Sequence, residues 1–266
     1  MKEYDKYLKL LKEKYPTKQS VYRELINLNA IMNLPKGTEH FMSDLHGEYD
    51  AFYHIINNCS GVIREKVAML YGDELTVYEQ QELCTLIYYP REKLSILMDE
   101  NKVNDEWYRN VLNQLIQIAK LLSSKYTRSK VRKAMPVDFA YIIDELIHAQ
   151  KDEDDNRSVY HRQIMETILS LHNGDEFLVA LTDLIKRLAV EHLHILGDIY
   201  DRGSHADKIL DLLMEHHSVD IQWGNHDILW MGAFCGNPVC MALVVRNNIK
   251  YKTMSILENG YGISLR

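Results

Sequence analysis

The segment from residue 191 to 234 constrains the fold more than any other part of this sequence. It opens with an apolar run that ends in Gly-Asp, "EHLHILGD", followed by "SHADKILDLLMEHH", which has the spacing of an amphipathic helix. A second run, "VDIQWGNHD", also ends in glycine and polar residues, and "DILWMGAF" opens a further helix. This order predicts a βαβ unit with parallel strands. Ligands of such sheets bind at the carboxyl ends of the strands, where the polar residues fall.

The chain before this segment is predicted to be mostly helical. Residues 2–14 and 19–33 have helical spacing, "TEHFMSD" is a short strand ending at Asp44, and a helix follows in "GEYDAFYHIINN". From residue 61 to about 190 the pattern is helical almost throughout, and its apolar stripes indicate a helical core or an oligomer interface. The predicted fold class is therefore α/β, with a large all-helical insertion.

Three parts of the chain follow from this pattern. We expect the N-terminal helices and the first motif strand in 1–60, the helical insertion in 61–190, and the continuation of the sheet in 191–266.

Composition limits the kind of partner. The chain has 266 residues, 46% of them hydrophobic and 26% charged, with a net charge of −7 and a pI of about 5.9. An acidic chain gains no general attraction for nucleic acid or anionic lipid. It has neither an apolar signal core nor a run long enough to span a membrane. These features predict a cytoplasmic protein that binds no nucleic acid and no membrane.

The first polar cluster, "SDLHGEYD", places Asp44 and His46 two positions apart at a strand end. Residues two apart in an extended segment point the same way, so a carboxylate and an imidazole can converge on one metal. Gly47 permits a sharp turn. The Asp-x-His pattern also occurs often by chance, so this cluster is weak on its own.

The second cluster, "GDIYDRG", carries Asp198, Asp201 and Arg202. A carboxylate has two oxygens, so Asp198 is able to bridge two cations. Asp201 is placed to orient an imidazole, and the planar guanidinium of Arg202 suits a phosphate. The alternative is an ordinary strand-to-helix turn with a capping aspartate and a surface arginine.

The third cluster, "GNHD", offers an amide oxygen for a metal from Asn225 and a proton donor from His226. Asp227 has the simpler interpretation of an acidic residue at a helix N-terminus. We assign no ligand role to four other histidines. His192 and His194 are interpreted as strand residues. His216 and His217 end a helix, where the helix dipole favours cationic imidazoles.

Together, these clusters resemble the calcineurin-like metallophosphoesterases, in particular the phosphoprotein-phosphatase branch. Their carboxylate, imidazole and amide ligands, without thiolate, suit a pair of Mn²⁺, Fe or Zn²⁺ ions, which can clamp a phosphate for in-line attack. The long helical insertion, the "SDLHGEYDAFYHIINNCSGVIREKV" wording and the "YPTKQSVYRELINLNAIMNLPKGTEHF" lead-in are similar to class III fructose-1,6-bisphosphatases of low-GC Gram-positive and related bacteria. The resemblance covers essentially the whole chain.

The resemblance implies hydrolysis of fructose 1,6-bisphosphate in gluconeogenesis, with Mn²⁺ as the metal. It implies roles for the matching residues, which are Asp44, His46, Asp198 and Asn225 as metal ligands, His226 as general acid, Asp201 as its orienting carboxylate, and Arg202 and Asn225 as phosphate contacts.

The family site includes two further histidines on later strands, and no histidine follows His226 in this sequence. We therefore expect an incomplete second metal site, an incomplete β-sandwich with one uncovered apolar sheet face, and poor activity of these 266 residues alone. The alternatives are a protein Ser/Thr phosphatase, a dinucleoside-polyphosphate hydrolase, or a non-catalytic remnant that packs against other subunits through residues 61–190.

Overall fold

The computed structural model is mostly helical and contains a small parallel sheet, which agrees with the predicted α/β class. It describes residues 2–149, 155–262 and 264, so residues 150–154 of the predicted insertion lie outside the described residues. The strands are β1 (Glu39–Met42), β2 (His192–Ile195) and β3 (Val219–Ile221). The α-helices are α1 (Lys2–Lys14), α2 (Lys18–Met32), α3 (Tyr49–Asn58), α4 (Val62–Tyr71), α5 (Val77–Tyr88), α6 (Pro90–Asp99), α7 (Asp105–Ser123), α8 (Arg128–Ala134), α9 (Ala140–Ile147), α10 (Asp155–Ser170), α11 (Gly174–Ala189), α12 (Ala206–Glu215), α13 (Asn225–Phe234), α14 (Pro238–Tyr251) and α15 (Met254–Tyr261).

The sheet has the order β1-β2-β3, and both strand pairs are parallel. The register places Phe41 opposite His194 and His194 opposite Asp220. β2, α12 and β3 therefore form the predicted βαβ unit, and that prediction is confirmed. Because all three strands run the same way, the loops that follow them lie at one edge of the sheet.

The two faces of the sheet differ in polarity. One face buries Leu193 and Ile195 against Phe52 of α3 and Ile209 of α12. We predicted that the opposite face would be an apolar patch, and this was wrong in part. Phe41 on that face is 62% exposed. Strand residues two apart share a face, and the other side chains on this face are polar. They are Glu39, His192, His194 and Asp220.

The helices between β1 and β2 share a separate hydrophobic core. α7 has apolar residues at helical spacing, which bury Leu112, Leu115, Ile118 and Leu122 completely. α11 packs along α7 and buries its own stripe, including Phe177. The helical pattern predicted from residue 61 to about 190 is confirmed by α4 to α11, apart from residues 150–154. Removal of this apolar area from water stabilises the helices by about 25 cal/mol per Å².

The first two helices contribute little to either core. α2 has no buried residue and exposes apolar side chains such as Ile26 and Met32. α2 begins at a capping box between Thr17 and Ser20, so its start is encoded locally. Within the described ranges, no helix combines the length and apolar character needed to cross a membrane.

His216, directly after α12, is not cationic at neutral pH, contrary to our expectation from the helix dipole. Burial, together with the neighbouring His217, lowers the pKa of His216 to about 4, and burial also lowers the pKa of His217. Nδ1 of His216 lies 3.1 Å from the carbonyl of Ser218, and Nε2 of His217 lies 3.0 Å from the carbonyl of Val190. Loss of hydration therefore outweighs the attraction of the helix end for a positive charge.

This burial predicts a pH dependence of stability. An unfolded histidine has a pKa of about 6.5, so below that pH the unfolded chain binds a proton that folded His216 does not. We expect the free energy of unfolding to fall by about 3 kcal/mol as the pH falls from about 6.5 to about 4. Urea unfolding between pH 4 and 7 measures it. His216→Gln should flatten the dependence of the free energy of unfolding on pH, whereas His172→Asn, at an exposed position, should leave it unchanged. Equal pH dependence of wild type and His216→Gln would contradict the assignment of this effect to His216.

Candidate active site

The loops after β1 and β2 are held together by backbone hydrogen bonds. The amide of His46 donates to the carbonyl of Asp198 at 2.8 Å, and the amide of Gly47 donates to that of Ile199 at 2.8 Å. The amide of Gly203 donates to the carbonyl of His46 at 2.6 Å. The first two sequence motifs, which are far apart in the chain, are therefore neighbours in space.

Asp227 joins the loops after β2 and β3. Its side chain is fully buried and accepts hydrogen bonds from the amides of Asp198 (2.7 Å), Ile199 (2.8 Å), Tyr200 (3.1 Å) and Gly224 (2.8 Å). The bond from the N-cap residue Gly224 confirms Asp227 as an acidic residue in the first turn of α13, as we predicted. The other three bonds give it a second role that we missed, because nothing local in the sequence shows which loop the carboxylate faces.

Two glycines in these loops lie in direct backbone contact. A Cβ on Gly47, which has φ of +67°, would lie 2.5 Å from the carbonyl oxygen of Gly203. A Cβ on Gly203 would lie 2.6 Å from the carbonyl oxygen of His46. Both contacts are with backbone, which cannot move aside as a flexible side chain can. The two motifs therefore need glycine where they touch.

Gly47→Ala should lower the free energy of unfolding by about 2 kcal/mol or more, because it adds a backbone clash to an unfavourable positive φ. Gly61→Ala is the matched control, since Gly61 has φ of +88° and open space around its Cβ position. This control isolates the cost of the backbone conformation, about 1 kcal/mol. Denaturant unfolding of both variants measures the difference. Equal losses would show that the close approach of Gly47 to Gly203 is unimportant.

Asp44, His46 and Asp198 form a cluster able to hold a metal ion. Each offers one ligand atom, and the three atoms lie within 4.8 Å of one another. Nε2 of His46 lies 3.5 Å from Oδ1 of Asp44. The side chain of His46 is 5% exposed and that of Asp44 is 66% exposed, so the cluster is anchored on one side and open to ligands on the other.

The hydrogen bonds of His46 support a metal at this position. Nδ1 lies 3.0 Å from the carbonyl of Tyr200, which can only accept, so Nδ1 carries the hydrogen. Nε2 then presents a lone pair towards the two carboxylates, and this buried atom has no hydrogen-bond partner among the described residues. A buried polar atom without a partner is costly, and a cation removes the cost. The residues present therefore fit a divalent metal.

His226 and Asp201 form a second pair beside this cluster. Nδ1 of His226 donates to Oδ2 of Asp201 at 2.7 Å, and its ring lies 5.2 Å from that of His46, edge to face. The side chain of Asp201 is 1% exposed. Its carboxylate also accepts from Nε1 of Trp230 at 2.9 Å and Nδ2 of Asn247 at 2.8 Å. Three donors fix the carboxylate, which fixes His226 with Nε2 available to a ligand.

Sequence reasoning missed the two donors that hold Asp201. Trp230 follows His226 by one helical turn on α13, so its spacing was a usable signal. Asn247 lies on α14, and no local pattern connects it with Asp201.

The two remaining predicted site residues are exposed at the same edge of the sheet. Asn225 is the first residue of α13, directly before His226, and its amide oxygen and nitrogen are therefore close to the helix N-terminus. Arg202 follows Asp201 in the loop after β2. The roles of Asn225 and Arg202 as ligand contacts stay predictions.

The site loops have an unusual backbone. Asp44, His46, Asp198, Asp201 and Arg202 all have positive φ angles, between 45° and 72°. This region is sparsely populated for residues other than glycine, and such conformations concentrate at functional sites. Here the hydrogen bonds between the loops maintain them.

Comparison with known proteins agrees with this arrangement. The family model for the Firmicute fructose-1,6-bisphosphatase matches residues 6–266. This chain belongs to that family. It is 54% identical over 275 residues to "Fructose-1,6-bisphosphatase class 3 1" of Clostridium beijerinckii, covering 100% of this chain and 41% of the relative. It is 54% identical over 261 residues to the class 3 protein of Listeria monocytogenes serotype 4b, covering 98% and 40%.

The class 3 protein of Clostridium acetobutylicum is 53% identical over 260 residues, again covering 98% of this chain and 39% of the relative. This member of the fructose-1,6-bisphosphatase family therefore spans about 40% of the length of the curated relatives that it matches. No solved structure matches it. The family membership confirms the resemblance predicted from the motifs, and the protein-phosphatase and dinucleoside-polyphosphate alternatives are not favoured.

Proposed function

We propose that this chain forms part of a metal-dependent phosphomonoester hydrolase that converts fructose 1,6-bisphosphate to fructose 6-phosphate and phosphate. One observation supports this most strongly. A fixed Asp201–His226 pair lies beside the Asp44–His46–Asp198 cluster, so a proton donor and a candidate metal site are neighbours. Hydrolysis of a phosphate ester needs both, because charge develops on the phosphoryl group and on the leaving oxygen.

Asp44, His46 and Asp198 would hold the first metal, and Asn225 and Asp198 would contribute to a second. Bound divalent metals stabilise negative charge on the phosphoryl group and activate a water molecule for attack. The oxygen and nitrogen donors suit Mn²⁺, which we propose as the metal. His46 contributes a fixed tautomer, since the carbonyl of Tyr200 keeps the hydrogen on Nδ1.

His226 supplies the proton that the leaving sugar oxygen requires. Asp201 holds Nδ1, so proton transfer takes place at Nε2. Arg202 and Asn225 are proposed phosphate contacts, since a guanidinium and an amide both donate hydrogen bonds to phosphate oxygens. Exposure of both residues leaves them accessible to a substrate.

The wider setting is part of the same proposal. We assign the sheet and its flanking helices to a calcineurin-like core, divided into 1–60 and 191–266 by the helical insertion of 61–190, with gluconeogenesis in the cytoplasm as its setting. The separate hydrophobic core of the insertion supports this division. Assembly of copies of the chain through the insertion is a further proposal, to be tested by sedimentation of the purified protein.

A substrate panel tests the function. The chain is assayed alone and as a chimera in which it replaces the matching 40% of the Listeria monocytogenes relative. With Mn²⁺, we expect the chimera to release phosphate from fructose 1,6-bisphosphate faster than from a phosphopeptide or a dinucleoside polyphosphate. The chain alone should be at least ~100-fold slower if residues elsewhere complete the second metal site. Equal rates for chain and chimera would contradict the incomplete site, and a preference for the phosphopeptide would contradict the substrate.

A further inference from the structure

The polar face of the sheet carries a second cluster of metal-ligating side chains, remote from the proposed active site. His192 and His194 are two apart on β2, so both imidazoles point to this face. Asp220 lies opposite His194 on β3. One ligand atom from each residue lies within 4.8 Å of the other two. The nearer of its histidines, His194, precedes Asp198 by four residues, roughly 13 Å at the rise of an extended strand.

We propose that His192, His194 and Asp220 form a binding site for Zn²⁺ or a chemically similar divalent cation, independent of the phosphatase site. From the sequence alone we interpreted the two histidines as strand residues without a ligand role, and the arrangement on the sheet changes that interpretation. Two imidazoles and a carboxylate are a common ligand set for zinc with one coordination position left open. Cations of the same charge that favour imidazole, such as Co²⁺ and Ni²⁺, suit the same set.

The geometry already places the ligands around one point. Nδ1 of His194 lies 2.8 Å from Oδ1 of Asp220, and Nε2 of His192 lies 3.2 Å from Oδ2. The two imidazole rings are 4.5 Å apart. Two ligands that are each about 2 Å from one ion lie at most ~4 Å apart. Small side-chain rotations therefore suffice to admit the ion.

Each histidine also has an oxygen near its other ring nitrogen, within hydrogen-bond distance only for His192. Nδ1 of His192 lies 2.6 Å from the hydroxyl oxygen of Ser218, and Nε2 of His194 lies 3.6 Å from Oε2 of Glu39. Histidines that bind metals usually donate their second N–H to such a group, which fixes the tautomer. Phe41 stacks on His194 at 4.3 Å and limits rotation of that ring.

An unpartnered atom favours a cation over a simple hydrogen-bonded triad. A neutral His194 that donates from Nδ1 to Asp220 leaves the lone pair of Nε2 directed at the Glu39 carboxylate. This Nε2 is buried and has no hydrogen-bond partner among the described residues. With a cation between Nδ1 and Asp220, the hydrogen moves to Nε2, and a small shift of the exposed Glu39 side chain from its present 3.6 Å allows it to accept that hydrogen. Metal binding thus resolves the conflict.

The electrostatics agree with this assignment. Asp220 and Glu39 are acidic and the two imidazoles are neutral in their ligand form, so the cluster attracts a divalent cation. The side chains of His192 and His194 are 28% and 20% exposed, which leaves a path for the ion.

Metal titration of a variant without the phosphatase cluster tests the proposal. In the background Asp44→Asn/Asp198→Asn, we expect one equivalent of Co²⁺ to bind, with the visible absorption of a four-coordinate site, and Zn²⁺ to displace it. Adding Asp220→Asn should weaken Co²⁺ binding at least tenfold. Adding Asp211→Asn, an exposed helix substitution, should have no effect.

Three results would overturn the site. They are no binding in the background variant, six-coordinate spectra typical of a hydrated surface ion, and equal affinity after Asp220→Asn. His194→Asn provides a second ligand deletion, and its circular dichroism spectrum verifies the fold. Loss of phosphatase activity leaves this test unaffected, because the readout is Co²⁺ absorption in a background that already lacks the phosphatase cluster.

Discussion

His226→Asn in the chimera should lower the rate of fructose 1,6-bisphosphate hydrolysis by about 10²- to 10⁴-fold, the usual contribution of a positioned general acid. The side chain loses the nitrogen from which the proton passes to the leaving sugar oxygen. Asp201→Asn should produce a similar but smaller loss, since its amide can present a donor to Nδ1 of His226 and turn the ring. Phosphate release at saturating substrate measures both.

The choice of leaving group separates proton donation from a structural defect. A sugar alkoxide needs a proton to depart, whereas p-nitrophenolate is stable as an anion. If His226 is the general acid, His226→Asn should reduce hydrolysis of p-nitrophenyl phosphate far less than that of the sugar bisphosphate. Equal losses with both substrates would indicate that His226 only supports the loop. His172→Asn on the exposed surface is the matched histidine control.

Asp227→Asn should be among the most destabilising single changes in the chain. Its carboxylate accepts four backbone hydrogen bonds, and an amide would direct its own N–H groups at some of those donors. Hydrogen bonds to a buried charge are worth about 1.5–3 kcal/mol each, and they are not additive. We expect the free energy of unfolding to fall by about 3–5 kcal/mol, measured by urea unfolding at pH 7.

Asp211→Asn makes the same chemical change on an exposed position of α12 and should alter stability by less than ~0.5 kcal/mol. The Asp227 variant should also bind Mn²⁺ more weakly, because the same carboxylate holds the amide of Asp198. A variant with wild-type stability would show that the contact between the two loops is dispensable. A variant with lower stability but unchanged Mn²⁺ affinity would limit Asp227 to a structural role.

Local patterns predicted the elements well. Polar and apolar residues alternate in "HLHI", and apolar residues recur at helical spacing in α7 and α11. Both patterns arise because one face of each element packs on a core, so strands and helices can be predicted from the sequence. The βαβ unit followed from the order of these elements, and it correctly brought Asp198 and His226 to one edge of the sheet. The roles of individual residues as metal ligands, general acid and phosphate contacts came from the family resemblance.

Contacts between distant segments were beyond the sequence. Nothing near Asp201 indicates that Asn247 donates to it, and nothing near Asp227 indicates that it accepts from the loop after β2. Burial was also misjudged for His216, because the helix dipole is a local feature whereas desolvation depends on the packed surroundings. The same limit concealed the His194–Asp220 pair, which depends on the register between β2 and β3.

Titration of the 266-residue chain with Mn²⁺ tests the central claim most directly. The claim is that the separate motifs assemble one metal site through Asp44, His46 and Asp198. Calorimetry should detect Mn²⁺ binding that Asp198→Asn weakens at least tenfold and Asp220→Asn leaves unchanged, since the proposed second site prefers other cations. Equal Mn²⁺ affinity of wild type and Asp198→Asn would contradict the account.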